Sequence, residues 1–202
     1  MSNLFEQCQY LISAYRYDQL PDDIGQEIAF VGRSNSGKST TINALTNHRG
    51  LAKVSKTPGR TQLFNCFEFA PQQRLIDLPG YGYAKVPEKM RNHWQKEIDH
   101  YLMKRESLIG VVIIMDIRHP MKTFDQQMIN WAAQSGLHSH VLLNKADKLS
   151  HSQATKTLMQ VRVEIAKISE NTSSQTFSAL RKTGNQELSA ILTPWFKENH
   201  VK

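Results

Sequence analysis

Residues 32–39 read Gly-Arg-Ser-Asn-Ser-Gly-Lys-Ser and match the pattern G-x-x-x-x-G-K-[ST]. Residues 27–31 before them, which are apolar except for Glu27, predict a buried strand, and residues 40–47 after them predict a helix. Between a strand and a helix, the glycines let backbone N–H groups turn inward, and the helix N-terminus adds positive potential. The motif therefore predicts a site for the phosphates of a nucleoside triphosphate.

Three side chains of this loop carry charge or ligand chemistry. Lys38 is predicted to bring its ammonium group to the β and γ phosphates, and Ser39 to offer its hydroxyl to Mg²⁺. Asn35 is a candidate ligand for a monovalent cation such as K⁺; the alternative is an amide that stabilises the turn. The predicted phosphate-site residues are Gly32, Arg33, Ser34, Asn35, Ser36, Gly37, Lys38, Ser39 and Thr40.

A second motif, Asn144-Lys145-Ala146-Asp147, follows directly on the apolar residues 140–143. It therefore lies at the carboxyl end of a predicted strand, where ligands of doubly wound α/β folds bind. A carboxylate accepts two hydrogen bonds side by side, and guanine presents adjacent N1–H and N2–H₂ donors whereas adenine has no such pair. Asp147 thus predicts a guanine site. The stretch Phe177-Ser178-Ala179, after the last predicted strand, is a weaker signal for a backbone N–H to the guanine O6.

A third motif, Asp77-Leu78-Pro79-Gly80, ends another predicted strand and gives the pattern D-x-x-G. Its carboxylate can hold Mg²⁺ through water, and the Gly80 N–H can reach the γ-phosphate. For the second hydroxyl ligand of Mg²⁺, Thr61 is preferred to Thr57 because it lies just before the next predicted strand. Nucleotide contacts are also predicted for Gly59, Arg60, Thr61, Gln62, Leu63, Asp77, Leu78, Pro79 and Gly80.

The hydrolysis machinery is predicted to be weak. Many GTPases carry a glutamine directly after D-x-x-G to orient the attacking water, and here that position is Tyr81. A phenol cannot donate and accept in the same geometry, so slow unassisted turnover is expected. Lys38, Thr61 and Gly80 are the predicted catalytic residues. Arg60 is either a helper that offsets charge or a solvated surface arginine.

The order of predicted elements favours one three-layer α/β domain with a mostly parallel central sheet and helices on both faces. Residues 62–70 and 74–78 are linked so tightly that they predict an antiparallel hairpin, placed at one edge of the sheet. Helices are predicted near residues 91–105, 122–134, 152–170 and 185–199. We divide the chain into an N-terminal extension, residues 1–24, and a single nucleotide-binding domain, residues 25–199. Residues 10–12 predict either an extra edge strand or the end of a short helix.

Composition restricts the class of protein. Of 202 residues, 40% are hydrophobic and 21% charged, which predicts a globular chain. No apolar stretch approaches the roughly 18 residues of a membrane helix, and no export signal opens the chain, so a cytoplasmic protein without a membrane partner is expected. The net charge of +7 fits a polyanionic partner, but many soluble domains are modestly basic. Cys8 and Cys66 are expected to be reduced and buried.

Four blocks of sequence go beyond the general motifs: residues 32–35, 55–62, 77–84 and 116–120. With them, the chain from residue 26 to 196 resembles the bacterial EngB (YihA/YsxC) GTPases of the TrmE–Era–EngA–YihA group. One departure is Asn144, where many members have threonine; the amide should tie the loop equally well. In the last block, Arg118 and His119 either face a partner or support local structure.

The resemblance implies a GTPase that binds Mg²⁺ with GTP or GDP and acts in assembly of the large ribosomal subunit. Its implied partner is the precursor of that subunit, with its RNA and ribosomal proteins, and its implied phenotype is a defect in septation and cell division. A monomer is the default expectation. The alternative function is a signalling GTPase that acts on a protein effector. An ATP-using enzyme is disfavoured because the carboxylate of Asp147 matches guanine.

Overall fold

The computed structural model describes residues 3–53, 63–81 and 88–197, with the backbone alone at 88–94. The strands are β1 (Gln9–Ala14), β2 (Gln26–Gly32), β3 (Phe64–Ala70), β4 (Gln73–Asp77), β5 (Leu108–Asp116), β6 (His138–Asn144) and β7 (Ser173–Thr176). The α-helices are α1 (Lys38–Leu45), α2 (Glu88–Lys104), α3 (Thr123–Gln134), α4 (His151–Ala166) and α5 (Asn185–Trp195). Short 3₁₀ helices lie at Leu4–Gln7, Tyr17–Gln19 and Ala146–Lys148.

The strands form one seven-stranded sheet in the order β1-β3-β4-β2-β5-β6-β7. β3 is antiparallel to both of its neighbours, while the pairs β4–β2, β2–β5, β5–β6 and β6–β7 are parallel. The predicted fold class and its antiparallel hairpin, β3–β4, are confirmed. The hairpin lies one strand inside the edge, because β1 pairs along the outer side of β3.

The N-terminal segment supplies that edge strand, which resolves the ambiguity over residues 10–12. Tyr10, Leu11 and Ile12 are all exposed, so β1 lacks the alternating burial that marks a strand in the sequence. Upstream, the fully buried ring of Phe5 packs edge-on against Phe69 of β3, with ring centroids 5.0 Å apart. Residues before 24 therefore complete the sheet and part of the core; the domain division at residue 24 stays a prediction.

Two hydrophobic clusters cover the two faces of the sheet. One joins the sheet to α2, α3 and α4, and the other joins it to α1, α5 and the N-terminal 3₁₀ helix. Successive residues of β2 alternate between them: Ala29 faces the first cluster and Phe30 the second. Because β5 is central and covered on both sides, its residues are buried throughout except for Asp116 at its carboxyl end.

Element ends differ from the predicted ends by a few residues. α1 begins at Lys38 instead of residue 40, because Gly37 caps it and the phosphate loop leads directly into its first turn. β7 begins at Ser173, two residues earlier than predicted, since its serines carry no hydrophobic signal. No described helix has the length and apolar character needed to cross a bilayer.

His140, in the middle of β6, gives the fold a pH dependence. Its ring is fully buried and contacts the Ser173 hydroxyl at 2.8 Å and the Gln175 side-chain oxygen at 3.1 Å. Burial lowers the pKa of His140 to about 4, because protonation would place a charge in the core. A lowered pKa in the folded state means that the unfolded chain binds the proton more readily.

The free energy of unfolding should therefore lose about 3 kcal/mol through His140 as the pH falls from about 6.5 to about 4, and keep this contribution above that range. Chemical denaturation of wild type and His140→Asn over this pH range would measure it, and the variant should show the shallower pH slope. His151→Asn, at an exposed histidine, is the control. Equal slopes for wild type and His140→Asn would contradict the assignment.

Candidate nucleotide site

The phosphate loop connects β2 to α1 as the motif requires, and two of its glycines lie where a side chain has no room. Gly37 has a φ of 99°, and a Cβ added there would lie 2.2 Å from the Asn144 side-chain nitrogen. A Cβ on Gly32 would lie 2.5 Å from the carbonyl oxygen of Ile114. Both positions therefore admit only glycine without displacement of the neighbouring chain.

Lys38 and Asp77 place a buried pair of opposite charges at the mouth of this loop. The Lys38 ammonium donates to the Gly32 carbonyl at 3.3 Å. Burial lowers the pKa of Lys38, and the carboxylate of Asp77 opposes that shift. Burial likewise raises the pKa of Asp77, against Lys38 and the Ser39 hydroxyl. The charged form of each group would gain from a ligand that brings phosphate to Lys38 and a cation to Asp77.

The oxygens beside Asp77 fit the predicted Mg²⁺ site. Ser39 Oγ donates to Asp77 Oδ2 at 2.9 Å, so the two predicted ligands are together. Asp77 Oδ1 is buried and has no hydrogen-bond partner among the described residues. A single carboxylate and a hydroxyl, completed by phosphate oxygens and water, are the donors that Mg²⁺ takes in nucleotide sites. Thr61, the third predicted ligand, lies outside the described residues.

The base motif is tied to the phosphate loop by side chains. Asn144 Nδ2 donates to the Ser36 carbonyl at 2.9 Å, and Asn144 Oδ1 accepts from the Lys145 N–H at 2.7 Å. Lys145 reaches back to the same loop, where its ammonium donates to the Asn35 carbonyl at 2.6 Å and to Asp116 Oδ2 at 3.0 Å. These contacts fix the distance between the phosphate loop and the base motif.

The carboxylate predicted to recognise guanine is held in place by the loop after β7. Ser178 Oγ donates to Asp147 Oδ1 at 2.5 Å, and this hydrogen bond lowers the pKa of Asp147. Asp147 therefore remains an acceptor at neutral pH. Behind it, the Ala146 N–H donates to the Phe177 carbonyl at 3.0 Å, which joins the two predicted base-contact segments.

Asp147 lines a cavity of about 620 Å³. Lys145 and Ala179 line it beside Asp147, and Thr40 and other residues of α1 and the loop after it form further lining. The cavity thus joins the base motif, the segment after β7 and the helix that follows the phosphate loop. Its size suits a purine nucleoside.

The D-x-x-G segment lies against the phosphate loop. The Ser34 N–H donates to the Tyr81 carbonyl at 2.9 Å, and a Cβ on Gly80 would come within 2.9 Å of the Lys38 ammonium nitrogen. The Tyr81 hydroxyl donates to Asp125 Oδ1 of α3 at 2.7 Å. Burial raises the pKa of Tyr81, so the hydroxyl stays protonated and engaged with α3.

Most of the predicted site residues meet at the carboxyl ends of β2, β4 and β6. The side chains of Leu78 and Phe177 are instead buried in the core, so any nucleotide contact from them would pass through the backbone. Leu63 is half-buried just before β3. Four predicted nucleotide-site residues lie outside the described ranges: Gly59, Arg60, Thr61 and Gln62.

Sequence reasoning missed two supporting carboxylates. Asp116 accepts from Arg118 Nη2 at 2.6 Å and from Lys145, and these partners lower its pKa. Arg118 thus supports local structure, one of the two roles considered for it. Asp125 is buried and accepts the hydrogen bond from the Tyr81 hydroxyl. The block of residues 116–120 was the available signal for Asp116, whereas Asp125 in α3 had none.

A doubly wound sheet that carries a phosphate loop and an N-K-x-D motif at the carboxyl ends of neighbouring parallel strands is the arrangement of P-loop GTPases, and the protein is of this class. A family profile described as "50S ribosome-binding GTPase" matches residues 27–145.

Two curated proteins, each described as a probable GTP-binding protein EngB, are similar over nearly the whole chain. That of Pasteurella multocida is 56% identical and the alignment covers 95% of this chain and 94% of the relative. That of Coxiella burnetii is 49% identical and covers 96% and 94%. The chain belongs to the EngB family of GTP-binding proteins.

Solved structures agree on the fold. The crystal structure of a probable GTP-binding protein EngB aligns with a TM-score of 0.67 at 22% identity, covering 86% of this chain and 100% of that one. Elongation factor SelB of Methanococcus maripaludis, in complex with the GTP analogue GPPNHP, aligns with a TM-score of 0.62 at 16% identity, covering 91% and 36%.

Replacing Asn144 by alanine should weaken GDP binding by about 10- to 100-fold, because it removes a buried hydrogen bond and leaves the Ser36 carbonyl without its donor. Isothermal titration calorimetry with the full chain measures the affinity, and an unfolding midpoint shows whether the variant is folded. Asn171→Ala, at an exposed asparagine, is the control. A folded Asn144→Ala protein with wild-type affinity would show that the two loops need no such tie.

Proposed function

We propose that this protein is a GTP-driven switch in assembly of the large ribosomal subunit, which binds Mg²⁺ with GTP or GDP and hydrolyses GTP slowly without a partner. The observation that supports nucleotide binding is the position of the Asp147 carboxylate, which accepts a hydrogen bond from Ser178. Asp147 follows β6, and Asn144 at the end of β6 donates a hydrogen bond to the phosphate loop. That arrangement suits a ligand with guanine at one end and phosphates at the other.

Each part of the nucleotide has its own group in this proposal. Lys38 offsets the charge of the β and γ phosphates, and inward N–H groups of the phosphate loop bind their oxygens. Asp147 accepts from guanine N1–H and N2–H₂, and the backbone of Ala179 donates to O6. Ser39, Thr61 and, through water, Asp77 would hold Mg²⁺, which when bound offsets charge on the transferred phosphoryl group.

Hydrolysis is proposed to be slow because no described group is poised to orient water as a glutamine would. Tyr81 occupies that position, and its hydroxyl is engaged by Asp125. Gly80 lies close to the phosphate site, where its N–H can reach the γ-phosphate. Asn35 is proposed to recruit K⁺ and Arg60 to offset charge. Equal hydrolysis rates in K⁺ and Na⁺ would remove Asn35 from this mechanism.

The ribosomal part rests on similarity and charge. The matching family profile is described as ribosome-binding, and the net charge of +7 favours an RNA-rich partner through release of counterions. In the proposal the protein is a cytoplasmic monomer whose GTP-bound form associates with the precursor of the large subunit. A link to septation and cell division would then follow from the need for ribosomes.

Replacing Asp147 by asparagine should weaken GTP binding by about a hundredfold or more, because an amide nitrogen would then face the guanine donors. Xanthosine triphosphate, whose 2-oxo group accepts from an amide, should become the preferred nucleotide. Competition binding of the two triphosphates measures the change. Asp18→Asn, in an exposed ion pair with Arg16, is the control. Unchanged GTP affinity would reject Asp147 as the base-reading group.

The ribosomal role predicts that purified protein sediments with large-subunit precursors in a non-hydrolysable GTP analogue more than in GDP. Lys38→Ala, which should lose triphosphate affinity, is expected to show no such difference. Sucrose-gradient fractions probed for the protein give the measurement. Sedimentation that ignores the nucleotide, or capture of a soluble effector protein in place of ribosomal particles, would argue against this role.

A further inference from the structure

The cavity beside Asp147 has a second wall, formed by the loop after α1. Arg49 and Gly50 line it together with Asn47, although the base motif lies about a hundred residues further along the chain. Because α1 begins at the phosphate loop, a nucleotide held by that loop brings its base between this wall and the base motif. Residues 47–50 are therefore placed to contact the base or the sugar.

This loop is held at several points. Asn43 Nδ2 donates to the Ala52 carbonyl at 2.9 Å, and Asn43 Oδ1 accepts from the Ala52 N–H at 2.7 Å. Lys182 Nζ, from the loop after β7, donates to Asn47 Oδ1 at 3.2 Å. The loop after α1 and the loop after β7 are thus joined at the cavity. These hydrogen bonds hold the backbone on both sides of Arg49 in place.

The wall offers the face of a base little else to pack against. A Cβ placed on Gly50, the residue after Arg49, would meet nothing within 4 Å, so the wall is open at Gly50. Among the described residues that line the cavity there is no aromatic ring. Arg49 is exposed, and no ion pair holds it among the described residues.

We propose that Arg49 stacks its guanidinium group on one face of the bound guanine and so contributes to nucleotide affinity. A guanidinium is planar and weakly hydrated, which lets it stack on aromatic faces, whereas a lysine ammonium is a strongly hydrated point charge. The three other cations that line the cavity have partners. Lys182 donates a hydrogen bond to Asn47, Lys148 lies 3.7 Å from Asp147 Oδ2, and Lys145 donates to the Asn35 carbonyl and to Asp116. The inference rests on the guanine-nucleotide binding proposed above.

Stacking and simple charge attraction make different predictions. A stacked guanidinium acts on the base, so its loss weakens GDP and GTP binding by the same factor, and a planar aromatic side chain can replace it. A cation that attracts phosphates favours GTP over GDP, is replaceable by lysine and depends strongly on salt. Leu180, 75% exposed at the same cavity, is the competing cover for the base.

The test is calorimetric titration of full-length wild type, Arg49→Ala, Arg49→Lys, Arg49→Trp and Leu180→Ala with Mg-GDP and a non-hydrolysable Mg-GTP analogue. Arg49→Ala should weaken both nucleotides about tenfold, Arg49→Lys should not restore binding, and Arg49→Trp should restore most of it. Because Arg49 is exposed, the variants should keep the wild-type unfolding midpoint, which is measured alongside.

Wild-type affinity in Arg49→Ala, or full rescue by lysine, would overturn the stacking role; a loss confined to Leu180→Ala would assign the base cover to that residue instead. Titration of wild type with Mg-ADP distinguishes failure of the proposed function from failure of this inference alone. If wild type binds ADP as well as GDP, the proposed function fails and the inference fails with it. If wild type prefers GDP and Arg49→Ala is unchanged, only the inference fails.

Discussion

The side-chain amide of Asn144 donates to the carbonyl of Ser36 across 108 positions of sequence, and the rest of the site depends on this contact. It joins the loop after β2 to the motif after β6, two strands separated only by β5. Lys145 doubles the tie through the Asn35 carbonyl. The buried parallel strands hold both loops at their carboxyl ends, and the side chains then set the spacing between the phosphate loop and the base motif. A ligand that spans the two would have to match both ends at once.

The carboxyl ends of the strands also hold two buried charged groups, Lys38 and Asp77, whose charged forms are disfavoured by burial. Burial lowers the pKa of Lys38 and raises the pKa of Asp77, so it favours the neutral form of each group. A buried pair of this kind gains little stability by itself, because desolvation offsets the attraction between the two groups. Phosphate and Mg²⁺ would supply the missing counter-charges. The site is thus arranged for binding at some expense to the stability of the free protein, as is common for groups with shifted pKa values at functional sites.

Much of this arrangement could be predicted from local sequence. The phosphate loop, the D-x-x-G segment and the base motif each occupy a few consecutive residues next to an apolar strand, so their positions at strand ends follow from the pattern alone. The antiparallel hairpin could be predicted because only three residues, 71–73, join the two predicted strands, too few for a parallel connection. β1 could not be assigned because an edge strand with Tyr10, Leu11 and Ile12 exposed shows no burial pattern.

Contacts between distant segments were beyond sequence reasoning. The bond from Tyr81 to Asp125 and the position of Arg49 beside Asp147 arise only when the sheet brings separate loops together. Neither Asp125 nor Arg49 belongs to a nucleotide motif by its spacing. Residues 54–62, which include Thr61, lie outside the described residues, so their part in the site stays a prediction.

The claim that one rigid site reads phosphates and base together is tested most directly by calorimetric titration of the wild-type protein with GDP and ADP in the presence of Mg²⁺. Both nucleotides carry the same diphosphate, so only the base differs. GDP should bind about a thousandfold tighter than ADP or more, because adenine would leave the Asp147 carboxylate without its donors. Equal affinities for the two nucleotides would contradict it.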